Sequence, residues 1–102
     1  MITAIVTYQG KAGPATEEEV RASVAAAENF RDIPGLIRKN FLRRDDGKAG
    51  GVYTWESREA AEAFYSSPRM DAFRERVGEV DIQYFETPVI VDNEKGALKT
   101  AA

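Results

Sequence analysis

Residues 50–60, GGVYTWESREA, constrain the fold more than any other stretch of the chain. A glycine pair opens a β pattern that places Tyr53 and Trp55 on one face and Val52 and Thr54 on the other. The period then changes at once. Ser57 fits a helix N-cap, Glu59 falls in the first turn, and Ala60, Ala61 and Phe64 recur at helical spacing. A strand with one aromatic face that runs directly into such a helix belongs to a sheet covered by helices on one side.

The rest of the chain extends that pattern. ITAIVTYQ, 2–9, is rich in β-branched residues and reads as a first strand, which GKAGPA interrupts. Thr16 and Glu19 form a capping box, with Glu17 and Glu18 in the same first turn. The predicted helix runs to about Asp32, with Val20, Val24, Ala27 and Phe30 as the stripe laid on the sheet. Ile33-Pro34-Gly35 ends it. A second strand, 36–44, and a third, 51–56, flank the polar turn DDGKAG. SSP at 66–68 divides the helical region after Ser57, and Met70, Phe73 and Val77 line a second piece over 69–77. A long last strand spans Val80 to Val91, where Pro88 requires an edge, a bulge or a swap between sheets. The order is β-α-β-β-α-β, an α+β ferredoxin-like sandwich in a single domain, 1–92, with 93–102 as a flexible tail. The helices cover one sheet face. The other, carrying Val52 and Thr54, is predicted to pack on a second copy, giving a homodimer.

Composition narrows the chemistry. The 102 residues contain no histidine and no cysteine, which removes the usual zinc, copper and haem ligands as well as Ser-His and Cys-His nucleophilic catalysis. No metal site is expected. A net charge of −3 argues against nucleic-acid binding, and the basic run at 38–44 is followed at once by Asp45-Asp46. MITAIVTYQG lacks the basic and long apolar regions of a signal peptide, and no run reaches the ~20 apolar residues of a membrane span. A cytoplasmic protein without membrane contact is expected.

The stretch PGLIRKNFLRRDDGKAGGVYTWESREAAEAFY, 34–65, resembles the dimeric α/β-barrel proteins of the antibiotic-biosynthesis-monooxygenase type, and among these the YdhR-like monooxygenases. The resemblance rests on helix-ending PGL, a lysine in the second strand, the Gly-Gly-hydrophobic-Tyr-x-Trp strand and ESREAAEAF. It implies a barrel built from two four-stranded sheets, with a separate pocket in each subunit between sheet and helices. It also implies that Trp55 projects into that pocket. Members that degrade haem use a histidine ligand, which this chain lacks. Members that oxidise quinols work without metal or flavin, so no cofactor is expected here.

Pairing between the second and third strands decides what accompanies the aromatic pair. In the favoured register, Arg44 lies opposite Gly51. Trp55 then faces Asn40, Tyr53 faces Leu42, Arg38 stands at the pocket mouth and Lys39 pairs with Glu56 on the barrel face. A register one residue different brings Lys39 beside Trp55 and Phe41 beside Tyr53. The candidate catalytic residues are therefore Trp55 and Asn40. The candidate substrate-binding residues are Tyr53, Arg38, Lys39, Tyr84 and Phe64. Such donors between aromatic walls suit a quinol or anthrone whose anion reduces O₂ directly, with charge stabilised by the protein. The expected activity is cofactor-independent monooxygenation of a small aromatic hydroxyl compound. The alternative is a non-catalytic dimeric ligand-binding module, in which Tyr53 and Trp55 are ordinary core.

Overall fold

The computed structural model describes residues 1–100, with side-chain surroundings through residue 96. Strands β1 (Ile2–Gln9), β2 (Leu36–Arg43), β3 (Lys48–Trp55) and β4 (Val80–Glu86) form one sheet in the order β2-β3-β1-β4, with every pair antiparallel. Helices α1 (Glu17–Ala27, continued by a 3₁₀ turn, Glu28–Phe30), α2 (Arg58–Tyr65) and α3 (Pro68–Val77) complete the ferredoxin-like α+β arrangement.

Each helix begins where its capping side chain stands. Thr16 accepts from the Glu19 N–H at 3.1 Å, Ser57 from Ala60 at 3.1 Å and Ser67 from Met70 at 3.4 Å. Pro68 occupies the first turn of α3, where a missing N–H costs nothing. Helix α2 buries Ala61, Phe64 and Tyr65, and α3 buries Met70. Together with Ala4, Val6, Tyr53 and Trp55 they form the core between sheet and helices.

Helix α1 departs from the sequence expectation. Val20 and Val24, expected on the sheet, are 52% and 66% exposed, and no residue of α1 is buried. The helix is tied at its start, where Arg43 reaches Glu19 at 3.3 Å and the Gly13 carbonyl at 2.6 Å. At its other end Phe30 packs on the core. Between these ties α1 stands off the sheet, and the space it leaves is the cavity described below.

The β2–β3 pairing also differs from the favoured register. Lys39 lies opposite Tyr53, Asn40 opposite Val52, Phe41 opposite Gly51 and Arg43 opposite Ala49. The cause is a turn that closes early. Gly47 N–H donates to the Arg44 carbonyl at 2.9 Å, and Arg44 N–H donates to the Lys48 carbonyl at 2.8 Å. The Asp46 carboxylate accepts from the Lys48 N–H at 3.1 Å and from the Arg44 guanidinium at 2.7 Å. Gly47, at φ +93°, supplies the left-handed step. Lys48, Ala49 and Gly50 therefore belong to β3 and not to the turn. A shift by an odd number of residues exchanges the faces of β2. Lys39 and Phe41 join Tyr53 beneath the helices, while Arg38 and Asn40 go to the other face, and Lys39 is not the partner of Glu56.

That other face has no helix over it. Its rows run Phe85-Thr3-Thr54-Arg38, Gln83-Ile5-Val52-Asn40 and Asp81-Thr7-Gly50-Leu42. Phe85 and Leu42 are 48% and 41% exposed. The expected long last strand is two elements. β4 ends at Glu86, and beyond Pro88 the chain leaves the sheet as β5 (Val89–Asp92), which pairs with β6 (Ala97–Thr100). Pro88, lacking a donor, stands at this switch, one of the positions open to it. Residues 97–100, expected in a flexible tail, thus carry a paired backbone strand. Residues 101–102 of that tail lie outside the described residues.

Candidate active site

A cavity of about 520 Å³ lies between the sheet and helices α1 and α3. Its floor is Val6 and Tyr8 of β1, Gly50, Gly51 and Tyr53 of β3, and Lys39 and Phe41 of β2. Ala22, Ser23 and Ala26 of α1 form one wall, and Arg69, Met70, Phe73 and Arg76 of α3 form the other. Small residues on α1 and two glycines on the floor explain the width of the space.

Lys39 is the polar centre of the floor. Its Nζ lies 3.6 Å from the centroid of the Phe30 ring, 3.9 Å from that of Phe41 and 4.9 Å from that of Tyr53. Burial, and next the Arg69 guanidinium, lower its pKa from 10.5 to about 7. The ring faces oppose that pull, because their quadrupoles favour the cation. Glycine at residue 51 leaves room for the side chain. A Cβ there would stand 3.0 Å from Lys39 Cε and 3.2 Å from Tyr53 Cε1. Tyr53 remains a phenol, since burial pushes its hydroxyl well above the usual 10.

Trp55 occupies a different position from the one the resemblance implies. It is fully buried, does not line the cavity, and donates its indole N–H to the Tyr65 hydroxyl at 3.1 Å. Its ring lies parallel to that of Tyr53 with centroids 6.0 Å apart, so it backs the tyrosine that forms the floor. Phe64 lines the cavity and packs on both Tyr53 and Trp55. Tyr84 lies under the helices away from the cavity, with the Arg58 guanidinium 4.3 Å over its ring. Asn40 and Arg38 are on the uncovered face. Of the residues named from sequence, the structure brings Lys39, Tyr53 and Phe64 together and leaves Trp55, Asn40, Arg38 and Tyr84 outside.

Among the cavity residues that escaped sequence reasoning are Arg69, Arg76 and Tyr8. The Arg69 guanidinium lies 4.4 Å over Phe30 and donates to the Asn29 carbonyl at 2.9 Å. Arg76 lies 5.5 Å over Phe73, whose ring meets that of Tyr8 edge-on at 5.1 Å. A signal was present. The two arginines are seven residues apart on one helix, and neither has an acid three or four residues before it. Arg74 of the same helix does, and it pairs with Asp71 at 3.5 Å.

Among the described residues no cluster of three acidic side chains could hold a metal, and no helix is long and apolar enough to cross a membrane. No curated protein matches the sequence significantly. Several solved structures share the fold. The monooxygenase from the ActVA-Orf6 gene of Streptomyces coelicolor, in complex with nanaomycin D, is 24% identical, with a TM-score of 0.62 over 84% of this chain and 86% of that one. A variant of MhuD with two manganese protoporphyrin IX bound is 23% identical, with a TM-score of 0.67 over 90% of this chain and 99% of that one. SnoaB, a cofactor-independent oxygenase from Streptomyces nogalater, is 23% identical, with a TM-score of 0.57 over 84% and 91%. Residues 5–94 match the family described as "Putative mono-oxygenase ydhR". With nearly the whole chain matched, this protein belongs to the ydhR mono-oxygenase family.

Proposed function

We propose that the protein is a cofactor-independent monooxygenase of aromatic hydroxyl compounds, with Lys39 as the group that handles proton and charge. The observation that carries this reading is the position of Lys39 Nζ. It stands among three aromatic faces on the floor of a cavity, beside a second cation. An amine lowered to about 7 is half-deprotonated at neutral pH and can take a proton from a phenol or an anthrone. The ammonium so formed, with Arg69, then stabilises the substrate anion. That anion reduces O₂ directly. An anthrone-type methylene loses two hydrogens and gains one oxygen atom, and the second oxygen atom leaves as water. Tyr53, held as a phenol, can donate to the product carbonyl.

The test is O₂ uptake with an anthrone and quinol panel by wild type and Lys39→Met. Uptake by wild type above the buffer rate, rising with pH through about 7, supports the proposal. A pH-independent rate, or an unchanged rate in Lys39→Met, would remove Lys39 from the mechanism. The full burial of Trp55 favours a second reading, a non-catalytic binding module, because this aromatic is core and not a pocket wall. Binding of the same panel without O₂ uptake would select it.

The uncovered sheet face supports a homodimer. Phe85, Leu42, Ile5 and Val52 are on this face without a helix over them, and beyond Pro88 the β5–β6 hairpin leaves the sheet with Val89 and Val91 exposed. A second copy packed sheet to sheet would remove this apolar surface from water.

A further inference from the structure

We propose that the cavity selects an elongated polycyclic aromatic acid, with its reacting hydroxyl at the Lys39–Arg69 end and a separate carboxylate at Arg76. This deepens the function proposed above and rests on it for the identity of the reacting end. The first support is charge. Lys39, Arg69 and Arg76 line the cavity, and no Asp or Glu does so among the described residues. No acid lies within ion-pair distance of Arg69 or Arg76 among those residues, whereas Arg58, Arg74, Arg43 and Arg44 all have one. A chain with a net charge of −3 thus gathers three basic side chains without acid partners on one concave surface.

The second support is separation. Arg69 and Arg76 are two helical turns apart, ~10 Å along the axis of α3. Each end of the cavity has its own aromatic set. Phe30, Phe41, Tyr53 and Phe64 surround the Lys39–Arg69 end, while Tyr8 and Phe73 sit with Arg76. The rest of the lining is Val6, Gly50, Gly51, Met70 and the alanines of α1 and α3, which offer flat apolar contact, with Ser23 and Asn29 adding uncharged polar side chains. Fused aromatic rings with an oxygen function at one end and an anionic group at the other fill such a space. A molecule with both groups at one end leaves the far guanidinium without a partner.

The experiment is calorimetric titration of the full chain, without turnover, using three probes. The first is the hydroxynaphthoate with its hydroxyl and carboxylate at opposite ends of the ring pair. The second is the corresponding carboxamide, and the third is the isomer with the two groups on adjacent carbons. The opposed acid should bind about tenfold or more tightly than its carboxamide and its adjacent isomer. Arg76→Gln should abolish the preference of the acid over the carboxamide. Arg76 is exposed, so this substitution leaves the core intact, which circular dichroism would verify. Equal affinity for acid and carboxamide, or a preference that survives in Arg76→Gln, would overturn the inference. Binding needs no O₂, so absence of uptake with an intact acid preference would sink only the oxygenase reading.

Discussion

Replacing Lys39 by Met keeps the length and apolar stem of the side chain while removing the amine from its aromatic surroundings. The consequence for stability has a definite sign. In the native protein Lys39 is held at about 7, whereas in the unfolded chain it titrates near 10.5. Below about pH 7 both states carry the charge, and the native state bears the full cost of burying it. As pH rises from about 7 to 10.5 the native amine is already neutral, and the unfolded state binds the extra proton. Stability lost to this lysine is therefore regained over that window. Unscreened, the displacement corresponds to ~5 kcal/mol. Lys39 is partly open to the cavity and three ring faces favour its cation, so about 1–3 kcal/mol is the realistic share. Lys39→Met should thus be more stable than wild type by about 1–3 kcal/mol at pH 7. The advantage should shrink as the pH approaches 10.5. Urea denaturation of both proteins across this range measures the difference directly, and other titrating groups cancel in the comparison. A variant less stable than wild type at pH 7, or a difference independent of pH, would show that the rings hold Lys39 as an ordinary cation.

Other substitutions separate packing from chemistry. Gly51→Ala sets a Cβ against Lys39 Cε and should cost ~1–3 kcal/mol while lowering O₂ uptake about tenfold or more, read by melting and oxygen electrode together. Trp55→Phe leaves the Tyr65 hydroxyl without its indole donor and should cost about 1–3 kcal/mol in urea unfolding, with turnover per folded molecule retained. A selective loss of turnover in that variant would return Trp55 to the catalytic site. Asn40→Ala, on the far face of the sheet, should leave probe binding in the cavity unchanged by titration. Light scattering at micromolar concentration should give twice 11.3 kDa, and a monomer would refute the sheet-to-sheet dimer.

Much of the fold is legible in particular residues. Thr16, Ser57 and Ser67 mark their helices because a cap satisfies N–H groups of its own first turn, a local requirement that any neighbour-to-neighbour reading detects. The alternation of Val52, Tyr53, Thr54 and Trp55 assigns faces within β3 for the same reason. The site was only half legible. Tyr53 and Phe64 follow from their own elements. Arg69 and Arg76 stand out as cations seven residues apart without a preceding acid, yet nothing local says that α1 stands far enough away for them to face a cavity.

The sequence by itself determined the order of elements, their caps, and the absence of histidine and cysteine chemistry. Tertiary structure decided which face of β2 meets the helices. That choice depends on where the Arg44–Gly47 turn closes, through hydrogen bonds to Asp46 and Lys48 that the pattern of apolar residues does not encode. An odd-residue difference there exchanges Asn40 for Lys39. The same holds for Trp55, which strand alternation places on the helix side whether it lines a cavity or backs one. Only the packing of Tyr65 and Phe64 against it, with α1 held away by Arg43 and Phe30, makes it the support and makes Lys39 the floor.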